Sequence, residues 1–306
     1  MDPLRLAKWY RRFKVDEIQM CITHQPFIAL ALFPICWLMN IPLHIYAQNL
    51  EYERFKSMKK KWWPIVFMVE WISFKLAQHI YFISPDEIEP GKKIFGLKAS
   101  KCSVLPYGTP HKAPPTDEKP IREAVRSRHG FSETEKLIIF FGPQSYQPNL
   151  EAVQLIVGQI NPILNQKATF DYRFIICGGG LPVHLNQLKD YPNVEYLGFV
   201  EDIEAYVKAS DLMINPILSG GGVKTKLIEA IALNKTVVSS KSGALGVTPE
   251  ACGHKLITID DHDYAAYADA IIKRLQEKDL PTPPSYYEEY YWGTIVKKVK
   301  LPGLGR

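Results

Sequence analysis

Short apolar runs, each closed by glycine or a polar turn, alternate with stretches of helical spacing along most of this chain. From about residue 137 the alternation is regular. LIIFFG (137–142) reads as a strand ended by glycine. PNLEAVQLIVGQINPIL (148–164) follows and places Ala152, Leu155, Ile156 and Ile160 on one helical face. YRFIICGGG (172–180) is a strand running into glycines, LPVHLNQL (181–188) a short helix, VEYLGFV (194–200) a strand and DIEAYVKAS (202–210) a helix. LMINPI, VKTKLIEAIAL, TVVSS and KLITI continue as strand, helix, strand and strand, and a helix runs from about Asp263 to Lys278. Strands and helices alternating with short turns predict a doubly wound parallel sheet of about six strands.

The front of the chain has the same character. DEIQMCI (16–22), PLHIYA (42–47), HIYFIS (79–84) and CSVLPY (102–107) read as strands, and WWPIVFMVEWISFKLAQ (62–78) as a helix. From Ile18 to Leu50 there is no charged residue. Its longest apolar stretch, Phe27 to Met39, is shorter than the ~20 residues of a spanning helix. Prolines 26, 34 and 42 punctuate it, so a buried strand, helix and strand within a sheet are expected. PYGTPHKAPPTDEKP (106–120) is the linker candidate. An aromatic-rich helix, PSYYEEYYWGTIVKKVK, follows a proline break. The expected domains are residues 1–118, residues 119–280 and a C-terminal helix, 281–306, returning toward the first. The fold class is thus α/β, with two Rossmann-like domains facing across a cleft, the default place for a ligand.

Composition narrows the function. Of 306 residues, 46% are hydrophobic and 23% charged, as in globular proteins. A net charge of +5 is too mild to argue for nucleic acid. Residues 1–100 hold 14 Lys and Arg against 9 Asp and Glu, so the front carries the imbalance. Such asymmetry marks a face that meets phosphates or an anionic membrane. KSMKKKWWPIVF sets lysines beside two tryptophans. It reads either as an interfacial membrane contact or as a helix with a solvated basic start and a buried remainder. Cys21, Cys36, Cys102, Cys177 and Cys252 form no C-x-x-C pair, which points to a reduced, cytoplasmic protein. The start has no signal-peptide pattern, and no His/Cys cluster has zinc spacing.

The chemistry centres on SGGGVKTKLIEAI (219–231). A helix N-terminus offers unpaired N–H groups and partial positive charge. Gly220, Gly221 and Gly222 would let an anion approach the backbone. Lys226 and Glu229, three apart, share a face. The bland reading is an ordinary surface ion pair. GFVED (198–202) is a strand-to-helix turn with Asp202 as cap, CGGG (177–180) a tight turn, and DDHD (260–263) a helix cap before it is a metal site. His24 closes a strand, either as a structural residue or facing the cleft.

The series from FGPQSYQPNLEA through CGGGLP, GFVED and SGGGVKTKLIEA to SGALGV resembles the nucleotide-binding domain of family-4 glycosyltransferases of the GT-B type. AQNLEYERF, FISPDE and KCSVLPYGT extend the likeness upstream. The resemblance implies transfer of a sugar from a nucleotide sugar to a glycan or lipid-linked acceptor, with retention and without a metal or other cofactor. It implies that Glu229 bonds the ribose, and that Lys226 and Lys224 lie at the diphosphate. It also implies that Gly198, Phe199 and Val200 hold the base through their backbone, with Gly142 at the opening of the domain. Gln48 falls where the family has a histidine. With Asn49 and His24 it makes the acceptor-side set.

This chain departs from the family in three places. Gly221 stands where many members carry a carboxylate facing the transferred sugar. GPQSYQPN lacks the family's Arg and Lys, which gives Lys224 and Lys226 more to do. The charged helix RLAKWYRRF leads directly to DEIQMCI, so early elements of the first domain are absent by comparison. A truncated or non-catalytic protein that binds nucleotide sugar, or serves as a partner subunit, is the alternative expectation. A nucleotide-sugar epimerase is a third, with no acid–base set to favour it.

Overall fold

The computed structural model describes residues 3–299 and Pro302. The chain divides into two units. The first is built on residues up to Tyr107 with Gly220–Val223 and the chain from Ile295, and the second on Gly108–Ser219 and Lys224–Thr294.

The first unit has a parallel sheet in the order β1 (Cys21–His24), β2 (Leu43–Ala47), β3 (His79–Phe82), β4 (Cys102–Val104). Strand side chains alternate between faces. Leu43, Ile45, Ala47, Ile80 and Phe82 turn to one face. They pack against Ala29, Ile35, Val66, Phe74 and Phe95 of the helices Pro26–Leu38, Trp63–Leu76 and Pro85–Phe95. The other face shows Tyr46 and Tyr81, packed with Ile83, Val223 and Val299. The charge-free stretch is therefore strand, helix and strand, as its prolines suggest. The first strand begins later than expected. Asp16 and Glu17 follow the helix Pro3–Val15, with Glu17 in the left-handed region (φ 48°), because two exposed charges do not fit a buried strand. Among the described residues no helix is long and apolar enough to cross a membrane.

The second unit has six parallel strands in the order β7-β6-β5-β8-β9-β10. They are β5 (Lys136–Phe141), β6 (Tyr172–Cys177), β7 (Val194–Gly198), β8 (Leu212–Asn215), β9 (Val237–Ser240) and β10 (Leu256–Ile259). Both parities of β5 are fully buried, Leu137 and Ile139 as well as Ile138 and Phe140, as helices on both faces require. The order reverses between β5 and β8. At that switch point the loops after two neighbouring strands run to opposite faces and leave a crevice.

Three local expectations change. The helix predicted over 148–164 runs as Gln147–Leu155, a π-helical turn Ile156–Ile160 and Asn161–Lys167. Pro162 lacks the N–H that would continue the α-helical ladder, and a widened turn absorbs the loss. The helix expected over 181–188 is an irregular turn. Asn186, Gln187 and Leu188 all have positive φ, and the bend puts Leu188 in the core. The aromatic tail is two helices, Pro284–Tyr290 and Trp292–Lys298, not one. At Tyr291 the backbone is extended. There Thr109 N–H donates to Tyr290 O (2.6 Å) and Trp292 N–H to Thr109 O (3.0 Å), so the break exchanges a helical turn for a strand-like bridge.

Candidate functional site

The carboxyl ends of three strands in the second unit are tied by backbone. Gly142 N–H donates to Cys177 O (3.0 Å), Gly178 N–H to Gly198 O (2.6 Å) and Gln144 N–H to Gly179 O (2.8 Å). This closeness demands glycine. Gly142 has φ 134° and Gly178 has φ 128°, and a Cβ on Gly178 would lie 2.1 Å from Gly142 O. A cavity of about 320 Å³ opens over these ends, lined by Phe141, Gly142, Cys177–Gly179, Phe199 and Val200. Its walls are mostly apolar and its floor is glycine backbone. Phe199 is 79% exposed, an aromatic face open to solvent at the cavity rim. The Cys177 thiol is pushed up to about 12 by burial, which leaves it protonated and inert as a nucleophile.

Beside this cavity stands the first turn of the helix Thr225–Ala232. The residue that precedes it, Lys224, makes no side-chain hydrogen bond to its first N–H groups. Lys226 Nζ donates to Phe141 O (2.6 Å) and to Asn149 Oδ1 (2.8 Å), and lies 4.4 Å from the centre of the Phe140 ring. A Cβ on Gly142 would stand 3.0 Å from that Nζ and 2.7 Å from Asn149 Nδ2. Gly142, Asn149 and Lys226 are therefore a mutual fit at the switch point. Burial first, and then the neighbouring Lys224 charge, lower the Lys226 pKa to about 7 against the opposing charge of Glu229. An incoming anion would reverse the balance and favour the ammonium. The helix is fixed from behind: Tyr286 Oη donates to Ile228 O and Tyr287 Oη to Ala232 O (2.9 Å).

The second unit thus brings together Lys226 and Gly142 by contact. Phe199, Val200 and Gly142 share one cavity, and Gly198 joins it through the bond to Gly178. Lys224 is buried and Glu229 half-buried, each acting on Lys226 through its charge. Asp202 and Asp263 cap helices, accepting from Ala205 N–H (3.1 Å) and Ala266 N–H (2.9 Å). Two residues escaped sequence reasoning. Asn149 was visible only as a letter of a family motif, although an Asn beside a helix-starting Pro148 is well placed to fix a neighbouring cation. Glu151 accepts from Ser219 Oγ (2.6 Å) and anchors the start of the glycine run, a pairing with no trace in sequence spacing.

In the first unit the acceptor-side candidates gather at the carboxyl ends of β1 and β2. Gln48 Nε2 lies 3.3 Å from His24 Nδ1, the His24 ring stands edge-on to Tyr46, and Asn49 Nδ2 donates to Glu51 Oε1 (3.4 Å). Gly222 (φ 71°) sits so tightly on Asn49 that a Cβ would overlap its Oδ1, and Gly220 has φ 84°. Gly221 differs. Its φ is ordinary, and a Cβ would only touch Arg54 at 3.6 Å. Nothing in the backbone demands glycine there.

Residues 135–277 match the family model of group 1 glycosyl transferases. A search of curated protein sequences gives no match. Among solved structures, HepE of Anabaena in complex with UDP and glucose is similar at a TM-score of 0.65 and 15% identity, over 96% of this chain and 76% of that one. A glycosyltransferase from Rickettsia africae aligns at 0.67 and 15% identity, over 97% and 77%. WaaG, a glycosyltransferase involved in lipopolysaccharide biosynthesis, aligns at 0.61 and 14%, over 93% and 75%. These likenesses establish the fold, two Rossmann-like sheets of the GT-B type.

Proposed function

We propose that this chain, whose residues 135–277 match the model of group 1 glycosyl transferases, moves a sugar from a nucleotide-sugar donor to a glycan or lipid-linked acceptor, with retention. The observation that carries the donor reading is the Lys226 ammonium, held by Asn149 and Phe141 O in the first turn of a helix at the switch point. A diphosphate placed there meets a cation and the positive end of a helix together. Lys226, with Lys224, stabilises the charge that grows on the leaving diphosphate. Glu229 bonds the ribose, and the cavity over Gly142, Gly198, Phe199 and Val200 takes the base. HepE has been solved with UDP-glucose, which supports a donor of this class. His24, Gln48 and Asn49 serve the acceptor. The reaction needs no metal, the protein works in the cytoplasm, and its membrane contact is peripheral, at the inner face.

A second reading, donor binding without turnover, is favoured by Gly221. The site lacks a carboxylate toward the sugar although the backbone has room for a side chain. Thermal-shift measurements with UDP-, GDP- and ADP-sugars separate the cases. A rise in melting temperature with one nucleotide class, followed by slow donor hydrolysis, supports transfer. A rise without hydrolysis supports binding alone. No rise with any member of the panel removes both.

A further inference from the structure

The helix Trp63–Leu76 in the first unit is inside out. Its sheet-facing side buries Glu70 and Ser73 with Val66 and Phe74. The Glu70 carboxylate accepts from the N–H groups of Glu51 (2.8 Å) and Tyr52 (3.1 Å), and Ser73 Oγ donates to Pro26 O (2.8 Å). Its water-facing side carries Ile65 (65% exposed), Met68 (62%) and Trp71 (43%), at successive three-residue steps. The helix Pro26–Leu38 packs beside it, holds no charged residue, and exposes Ile28, Trp37 (74%) and Leu38. A folded protein in water gains nothing from this arrangement, and large apolar side chains left exposed on two neighbouring helices mark an interaction surface.

The rim identifies the partner. Lys56 lies 5.2 Å from the Trp63 ring and Lys75 lies 5.9 Å from the Trp71 ring. Lys59, Lys60 and Lys61 are exposed at the helix start, next to the half-exposed Trp62. On the other side the helix Pro3–Val15 presents Lys8, Arg11 and Arg12 around the half-exposed Trp9. Tryptophans between an apolar face and a ring of cations suit the boundary of acyl chains and headgroups. A second copy of the chain fits poorly. A symmetric dimer through this patch would set the same lysines against each other, whereas an anionic surface attracts them.

We propose that the outer faces of Pro26–Leu38 and Trp63–Leu76 insert into the interface of an anionic bilayer, with the lysines on its headgroups. This rests on the membrane contact proposed above and not on the donor chemistry. Each lysine near such a surface strengthens binding by about fivefold, and the attraction fades with salt. The test is sedimentation of the full chain with vesicles of phosphatidylcholine, alone or with about one third phosphatidylglycerol. Nucleotide affinity is measured in parallel. The expected result is binding to the anionic vesicles, with a blue-shifted tryptophan emission. Binding should be lost in Met68→Glu/Trp71→Glu and weakened on the order of 100-fold in Lys59→Ala/Lys60→Ala/Lys61→Ala, about fivefold for each lysine. Nucleotide affinity should not change in either variant. Failure to bind the anionic vesicles overturns the proposal, as does retention of binding in both variants. So does a dimer in light scattering that Met68→Glu/Trp71→Glu disperses. Loss of nucleotide binding alone would count against the donor site and leave the membrane face standing.

Discussion

The helices Tyr264–Gln276 and Trp63–Leu76 both lie against a parallel sheet, and they turn opposite chemistry toward water. The first, in the second unit, buries Tyr267, Ala268, Ile271 and Leu275 and exposes Asp269, Lys273 and Gln276. The second, in the first unit, buries a carboxylate and a hydroxyl and exposes Ile65, Met68 and Trp71. Folding in water accounts for every outward and inward choice of the first helix. It accounts only for the inward face of the second, where Glu70 closes the N-terminus of the helix Glu51–Ser57. The outward face answers to something other than the fold. The two proposals divide along the same line, a ligand dissolved in water for the second unit and a bilayer for the first.

The largest effect expected from this contrast is on stability. Ile271→Ala removes a fully buried side chain and should cost about 2–5 kcal/mol in urea unfolding. Met68→Ala, at an equivalent depth along its own helix but facing water, should stay within about 0.5 kcal/mol. Equal losses would show that Met68 is covered in the folded chain, and the contrast would fail.

A smaller effect separates the glycines. Gly142→Ala places a methyl against Asn149 and Lys226 at φ 134°, and should cost about 1–3 kcal/mol together with nucleotide affinity. Gly221→Ala, at ordinary φ with ordinary clearance, should lie within about 0.5 kcal/mol. A Gly142→Ala protein with unchanged melting temperature and nucleotide affinity would remove the tight turn from the site.

The smallest effect is on pH, and the two units titrate in opposite senses. Burial pushes the Glu70 pKa up to about 8 from an ordinary 4.5. The folded state then holds a proton that the unfolded chain releases, so this stabilisation is complete at low pH and is lost as pH rises through that window. Lys226 is lowered to about 7, so between there and its ordinary 10.5 the unfolded chain binds more protons and stability rises with pH. Glu70→Gln should flatten the loss of stability between pH 4.5 and about 8 in the first unit. At the site, a nucleoside diphosphate must recharge Lys226 above neutral pH. Its affinity should fall with pH by up to about tenfold per unit, with proton uptake seen in calorimetry across buffers of different ionisation enthalpy. A pH-independent affinity would mean that Lys226 is not at the phosphates.

The second unit was readable as sequence because its signals are local. Six apolar runs, the four central ones buried on both faces, glycine at strand ends and Lys226 three residues before Glu229 all survive without tertiary information. Breaks imposed by distant partners were not readable. The aromatic tail divides at Tyr291 because Thr109 bonds there, and Leu188 leaves helical geometry to reach the core. Asn149 and Glu151 act on residues 77 and 68 positions away. The first unit was hardest for the opposite reason. Trp63–Leu76 is apolar around most of its circumference, so hydrophobicity alone could not say which side met the sheet, and the buried Glu70 was the only pointer.

The central claim is that Lys226 holds a nucleotide diphosphate at the switch point. Calorimetric titration of UDP, GDP and ADP into the wild type and into Lys226→Met at pH 6.5 tests it directly. One of the three should bind the wild type. Lys226→Met should bind that nucleotide about 10- to 100-fold more weakly, the worth of a charge-assisted hydrogen bond, with a melting temperature no lower than the wild type's. Equal affinity in the two proteins, or no binding of any of the three to the wild type, would contradict it.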